Sequence, residues 1–275
     1  MSDGGRRAAV ARVLPVVGRR QRGRWLWRGS PDDRPRVWAH RGASAHVTEN
    51  TLAAFALAGD HGADGVELDV QLCASGEVVV FHDDDLMRLA GRPERVDALP
   101  WSELARIELT GGHRIPRLED ALVACGELAI NVEIKSSRPG RAGPLPARVA
   151  TAIRAGRVDA RVVVSSFDPA ALWQLHLVAP DVPLAYLFEA RLARALRSAA
   201  AAALVGASAV HPEHVLCTPE QVAAWRARGL AVNTWTVDDP ARLRELAAAG
   251  VDGVFANDPR AAIAALTGGR REREP

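Results

Sequence analysis

The chain holds a single lysine. Of its 35 lysine and arginine residues only Lys135 is lysine, within the stretch AINVEIKSS (129–137), so every other basic side chain is arginine. Cysteine is nearly as scarce. Cys73, Cys125 and Cys217 are odd in number, unrelated in spacing and without a CxxC pair, which argues against a disulfide framework or a sulfur metal site and for a reduced, cytoplasmic setting. Long apolar runs are missing too. Residues 8–18 (AAVARVLPVVG) are broken by Arg12 and Pro15 and followed by more arginine, so neither a signal peptide nor stable membrane insertion is expected. The formal net charge is only +2, with eight arginines among the first 28 residues, so nucleic acid is not an expected partner.

What is present is an alternation. From residue 36 onward, short β-branched runs at 36–39, 64–70, 128–134, 161–166, 183–188, 207–211, 230–236 and 252–256 are separated by alanine- and leucine-rich segments of helical period. Several of these segments open on Thr, Asp or Pro and close on Gly, as capped helices do. Eight such units predict an α/β fold, a (β/α)8 TIM barrel whose chemistry collects at the C-terminal ends of its strands. The runner-up, a doubly wound open sheet, lacks the glycine-rich turn that would follow its first strand. The expected boundaries are a basic, loose tail at 1–33, the barrel at 34–267 and a loose tail at 268–275. Nothing in the sequence sets the oligomeric state.

Two places break the rhythm. After the second strand, QLCASGEVVVFHD reads as a hairpin with a two-residue Ser75-Gly76 loop, and pairing Ala74 with Glu77 would set Asp69 opposite His82. Residues 84–116, with no strand of their own, read as a small inserted subdomain over the barrel mouth.

Polar residues cluster where a barrel places its active site. His40 and Arg41 follow the first strand, Glu67 and Asp69 lie on the second, His82 on the hairpin, and Glu133 and Lys135 on the third. In E-L-D and E-I-K the polar residues are two apart, so each pair faces the lumen while the residue between packs outward. Three converging carboxylates repel one another unless a cation lies among them, and oxygen ligands suit one Mg²⁺ or Ca²⁺. Two flanking histidines suit general acid and base, and Arg41 with Lys135 suits a phosphate, which together point to metal-assisted cleavage of a phosphodiester. Asn50, Phe167, His211 and Trp235 are the further candidates for substrate contact, His211 at the rim. His113, His176 and His214 read as surface or structural, Trp173 and Trp225 as packing residues, and His46 and His61 carry little signal.

The segments AHRGASAHVTENTLAAFALAGDHGADGVELDVQLCASGEVVVFHD, IPRLEDAL, NVEIK, VVVSSFDP and VNTWTVDDP…GVDGVFANDP, in this order across 36–260, resemble the glycerophosphodiester phosphodiesterases. The resemblance implies a TIM barrel with an inserted subdomain and hydrolysis of glycerophosphodiesters to sn-glycerol 3-phosphate and an alcohol. It also implies a divalent cation on Glu67, Asp69 and Glu133, acid-base catalysis by His40 and His82 through a cyclic phosphate, and phosphate binding by Arg41 and Lys135. The chain departs from the family pattern at Thr48, Leu89-Ala90 and Arg117, none of them a proposed ligand, and these bear on which alcohol is preferred. Two alternatives stay open: a lysophospholipase D or sphingomyelinase-D-like enzyme acting on lipid, and a non-catalytic phosphate-binding barrel.

Overall fold

The computed structural model describes residues 34–135, 143–158 and 161–268. The expected N-terminal tail and the C-terminal tail beyond Gly268 lie outside the described residues. Eleven strands occur among them: β1 (Arg36–Ala39), β2 (Gly65–Leu72), β3 (Val78–Val80), β4 (Glu108–Leu109), β5 (His113–Arg114), β6 (Ala129–Ile134), β7 (Val162–Ser166), β8 (Leu184–Phe188), β9 (Ala209–Pro212), β10 (Ala231–Thr234) and β11 (Gly253–Ala256). Eight of these pair in parallel in the order β1-β2-β6-β7-β8-β9-β10-β11, and β11 returns to β1, so the sheet closes. These are the eight strands the alternation predicts, and the fold is a TIM barrel.

Local chemistry sets the crossovers. Thr51 Oγ1 accepts from the N–H of Ala54 at 3.2 Å and starts the helix Leu52–Asp60. Asp168, Thr218 and Asp239 cap the helices Pro169–Val178, Pro219–Ala227 and Pro240–Ala249, each with proline at its first position, where the missing N–H costs nothing. The third of these closes on Gly250, whose φ of 84° suits a residue without Cβ. Among the packing residues expected, Trp225 is buried as anticipated, whereas Trp173 is 49% exposed and lies beside the His176 ring.

The barrel has two apolar layers. Outward-facing residues such as Leu68, Val132 and Val164 pack under the helices, while the lumen is filled by Trp38 and Phe255, stacked at 5.9 Å, against Ala129, Ala185, Ala209 and Ala231. Bulk on β1 and β11 is thus matched by alanine elsewhere. Gly65 is part of the same fit, because a Cβ there would lie 2.6 Å from the Trp38 ring.

The hairpin differs from expectation by one residue. Its loop has three residues, Ala74-Ser75-Gly76, with Gly76 at φ 93° and the Cys73 N–H donating to the Glu77 carbonyl at 3.1 Å. Val70 therefore pairs with Val80, and Phe81, not His82, donates its N–H to the Asp69 carbonyl at 3.0 Å. Counted along the strand, this slip would turn His82 to the wrong face. Instead the strand ends at Val80, Phe81 buries itself in the subdomain core, and the chain bends so that His82 reaches the barrel mouth.

The inserted segment has a core of its own, built from Phe81, Leu86, Val96, Leu104, Ile107, Leu109 and Ile115 among others. Contrary to the expectation of no strand, β4 and β5 form a small antiparallel ribbon, turned by Gly111 and Gly112 at φ 78° and 79°. The two glycines permit a left-handed turn that most side chains resist.

Gly65→Ala should lower the unfolding free energy by about 1–3 kcal/mol, the usual cost of overpacking. Denaturant titration checks this, and a variant as stable as the parent would contradict the lumen packing described.

Candidate active site

Every strand of the barrel contributes to one cavity of about 200 Å³ at its C-terminal end. Its lining includes His40 and Arg41 after β1, Glu67 on β2, His82 beyond β3, Asn131, Glu133 and Lys135 along β6, and Phe167 after β7. The wall is completed by Leu187, His211, Trp235, Thr236 and Phe255 from β8 to β11. In the ladder Asp69 pairs with Glu133 and Glu67 with Asn131, so the two-residue spacing on β2 and β6 brings three carboxylates together.

Glu67, Asp69 and Glu133 are all buried, and each offers a ligand atom within 4.8 Å of the others. At that spacing two unit charges repel by about 3–4 kcal/mol at an effective dielectric of 20. Each carboxylate answers this differently. Burial first, then the charges of Asp69 and Glu133, hold Glu67 well above the usual carboxylate range. Glu133 is raised by burial, an effect that Lys135 reduces and Asp69 reinforces. Burial also pushes Asp69 up, but Lys135, Arg41, His82 and the Asn50 amide outweigh it and hold this carboxyl at about 2.

The compensating groups are specific. Lys135 Nζ lies 2.9 Å from Glu133 Oε1 and 3.5 Å from Asp69 Oδ1, and these charges hold the ammonium above its ordinary pKa despite burial. Arg41 donates its backbone N–H to Glu67 Oε2 at 2.8 Å and places its guanidinium Nε 3.4 Å from Asp69. To do so it takes a left-handed conformation, φ 58°, as does Asn50 at 56°, whose own N–H donates to the Arg41 carbonyl. Non-glycine residues hold such angles where their surroundings over-determine them.

Glu67 Oε1 is buried and accepts no hydrogen bond. An orphaned carboxylate oxygen among two further carboxylates is a donor set that fits a hard divalent cation.

The two histidines are each oriented from behind. His40 Nδ1 lies 2.8 Å from Asn257 Oδ1, and Asn257 Nδ2 donates to Asp238 at 2.6 Å. Because the Asp238 carboxylate can only accept, the Asn257 amide is fixed, His40 Nδ1 must carry the proton, and Nε2 is the free nitrogen. Burial and then the Arg41 charge hold His40 below its ordinary pKa, against the Asn257 hydrogen bond. His82 Nδ1 donates to Asp83 Oδ1 at 2.7 Å, leaving its Nε2 free likewise.

Behind His82 runs a chain of charges that the sequence did not reveal. Asp83 Oδ2 accepts from Arg88 Nε at 2.7 Å, Arg88 forks onto Glu49 at 2.6 and 2.9 Å, and Glu49 Oε1 accepts from Arg41 at 2.9 Å. Arg88 lies in the insertion and Glu49 in the loop after β1, so no local spacing joins them. The signal available was the glutamate of ENT, adjacent to the asparagine singled out.

The four expected substrate contacts divide. Phe167 and Trp235 line the cavity as an edge-to-face pair 5.5 Å apart. Asn50 is not in the lining: it is buried, with its Nδ2 donating to Asp69 at 2.8 Å and its Oδ1 accepting the Asp69 N–H. One amide N–H and one lone pair of the Asn50 side chain are thus both directed at a single residue, Asp69. His211 lies on the cavity floor, not its rim, fully buried, with Nε2 3.0 Å from Asn233 Nδ2 and Nδ1 unpartnered. Burial pushes its pKa down to about 3, so the ring is neutral.

Fold and site together define a TIM-barrel enzyme with a carboxylate cluster able to hold a metal ion. Residues 40–261 match the glycerophosphoryl diester phosphodiesterase family, and the chain belongs to it. A glycerophosphodiester phosphodiesterase of Caldanaerobacter subterraneus subsp. tengcongensis is 33% identical over 82% of this chain and 96% of its own. Among solved structures, a Silicibacter pomeroyi protein superposes with a TM-score of 0.80 at 30% identity, over 89% of this chain and 96% of that one. An Oleispira antarctica phosphodiesterase, solved with the product sn-glycerol-3-phosphate, gives 0.74 at 26% identity over 84% and 96%. None of the described helices is long and apolar enough to cross a membrane.

The raised Glu67 carboxyl has a measurable consequence. In chelator-treated protein the folded state keeps a proton that a free glutamate, with a pKa near 4.3, has lost, and a cation must expel it. Mg²⁺ binding should therefore release protons and strengthen as pH rises, and Glu67→Gln should remove most of the release. Calorimetry in two buffers of different ionisation enthalpy checks this; binding without proton release would contradict the electrostatics described.

Proposed function

We propose that this protein hydrolyses glycerophosphodiesters to sn-glycerol 3-phosphate and an alcohol, using one Mg²⁺ or Ca²⁺ held by Glu67, Asp69 and Glu133. The observation that carries the reading is the orphaned Glu67 Oε1 within a buried carboxylate cluster, flanked by two histidines each with its Nδ1 already engaged. A cation so held would supply Lewis-acid stabilisation of charge on the phosphoryl group. Family membership and a relative that holds sn-glycerol-3-phosphate as product support the substrate class.

The residues divide the work. His40, neutral in its buried setting, uses Nε2 to take the proton of the glycerol 2-hydroxyl as that oxygen attacks phosphorus. His82 gives a proton from Nε2 to the departing alcohol oxygen, so that the P–O bond breaks without expelling an alkoxide. The cyclic phosphate formed is opened by water, with the histidines exchanging roles. Lys135 and Arg41, both in the lining, place positive charge beside the phosphoryl oxygens, and the unpartnered His211 Nδ1 is a further donor on the floor. With Cys73, Cys125 and Cys217 free and buried, a cytoplasmic setting completes the proposal. The aromatic wall of Phe167 and Trp235 favours one second reading, a lysophospholipid substrate.

Purified protein with Mg²⁺ or Ca²⁺ should release glycerol 3-phosphate from glycerophosphocholine, and EDTA should abolish the release. His40→Ala and His82→Ala should each lower kcat by about 10²–10⁴ while remaining folded by circular dichroism. Lys135→Arg, which keeps the charge but not the shape, should cost roughly a hundredfold through misplacement of the carboxylates. Turnover that survives chelation, or cleavage of bis(p-nitrophenyl) phosphate without any glycerophosphodiester, would overturn the proposal. Faster cleavage of lysophospholipids in the same panel would select the second reading.

A further inference from the structure

On the other side of the segment that orients His40, a second set of metal-ligating side chains converges. His46 comes from the loop after β1, His61 from the C-cap of the helix Leu52–Asp60, and Asp258 from the residue before the helix Pro259–Gly268. They lie far apart in sequence, and the barrel joins them only because its first and last units are neighbours. His46 Nε2 is 2.9 Å from Asp258 Oδ2, and the His46 and His61 rings meet edge to face with centroids 5.0 Å apart. One ligand atom from each of the three lies within 4.8 Å of the others. His61 Nδ1 is buried and has no hydrogen-bond partner.

We propose that His46, His61 and Asp258 form a second cation site, distinct from the carboxylate cluster, which takes Zn²⁺ or a similar borderline ion and clasps the seam between the first and last barrel units. The donor set decides the class of ion. Two imidazoles with one carboxylate suit zinc, which favours nitrogen with oxygen in a tetrahedral shell, whereas Mg²⁺ and Ca²⁺ favour oxygen alone. Tetrahedral ligands at about 2.0–2.1 Å from zinc stand roughly 3.3 Å apart, so the three groups need to close by at most about 1.5 Å. His46 is 43% exposed, which gives the ion an entry path and a water for the fourth position. When the ion binds through His46 Nε2, the ring carries its proton on Nδ1 instead, and the contact with Asp258 is replaced by two metal bonds. Asp258 stays placed throughout, because its other oxygen accepts the Ala261 N–H at 2.9 Å and caps the last helix. Its neighbour Asn257 holds His40, so the clasp also steadies the backbone behind the candidate base.

Zn²⁺ titration of the full chain carrying Glu67→Gln and Glu133→Gln, which disable the carboxylate cluster, isolates this site. One equivalent should bind and raise the thermal midpoint, and millimolar Mg²⁺ should not compete. Adding His46→Gln or His61→Gln should weaken binding at least about tenfold and remove the thermal shift. If the double variant does not fold, the unmutated chain should lose one Zn²⁺ equivalent on His46→Gln, a change at an exposed side chain, with hydrolysis in Mg²⁺ unaffected. No Zn²⁺ bound by the folded double variant, or equal binding with and without the two histidines, would overturn the proposal and leave His46 and Asp258 as an ordinary hydrogen-bonded pair.

Discussion

The arrangement depends on one electrostatic conflict. Glu67, Asp69 and Glu133 are packed within 4.8 Å of one another in the buried mouth of a barrel, where charges are poorly screened and each pair, with both members ionised, would cost several kcal/mol. Much of the local structure can be understood as an answer to that conflict. Arg41 accepts a left-handed backbone so that its amide can hold Glu67 while its guanidinium faces Asp69. Asn50 does the same so that its amide can bracket Asp69, and Lys135 reaches both Asp69 and Glu133. Even so, Glu67 keeps an unanswered oxygen. Compensation within the protein stops one step short, and a cation is what the remaining step calls for.

The network also explains why one lysine stands among so many arginines. Lys135 puts a compact ammonium between Glu133 and Asp69, the latter already bracketed by the Arg41 guanidinium and the Asn50 amide. A planar fork needs room for five donors and prefers a bidentate partner, which suits Arg88 against the open side of Glu49 but not the crowded side of Glu133. The choice of basic residue thus follows the space around each acid.

The barrel was legible because its signals are local: eight β-branched runs, the E-L-D and E-I-K spacings, and the caps at Thr51, Asp168, Thr218 and Asp239. The same holds for the metal-competent carboxylates and His40, which stand at strand ends where the fold gathers them. What was not legible depended on a count or on distance. A left-handed Gly76 adds one residue to the hairpin loop, shifts the register and leaves His82 to reach the mouth by a bend that no alternation predicts. Asn50 looked like a substrate contact because it adjoins the site, but its side chain turns to Asp69. The Arg88–Glu49 link and the His46–Asp258 pair join segments about 40 and 210 residues apart, where sequence gives no sign of contact.

The three carboxylates, so arranged, are expected to hold an ion. Crystals grown with Mn²⁺ and measured at its absorption edge test this directly: the anomalous difference map should show a peak bounded by Glu67, Asp69 and Glu133, with Glu67 Oε1 as a ligand. A map with no density among the three, in a protein that still turns over substrate, would contradict it.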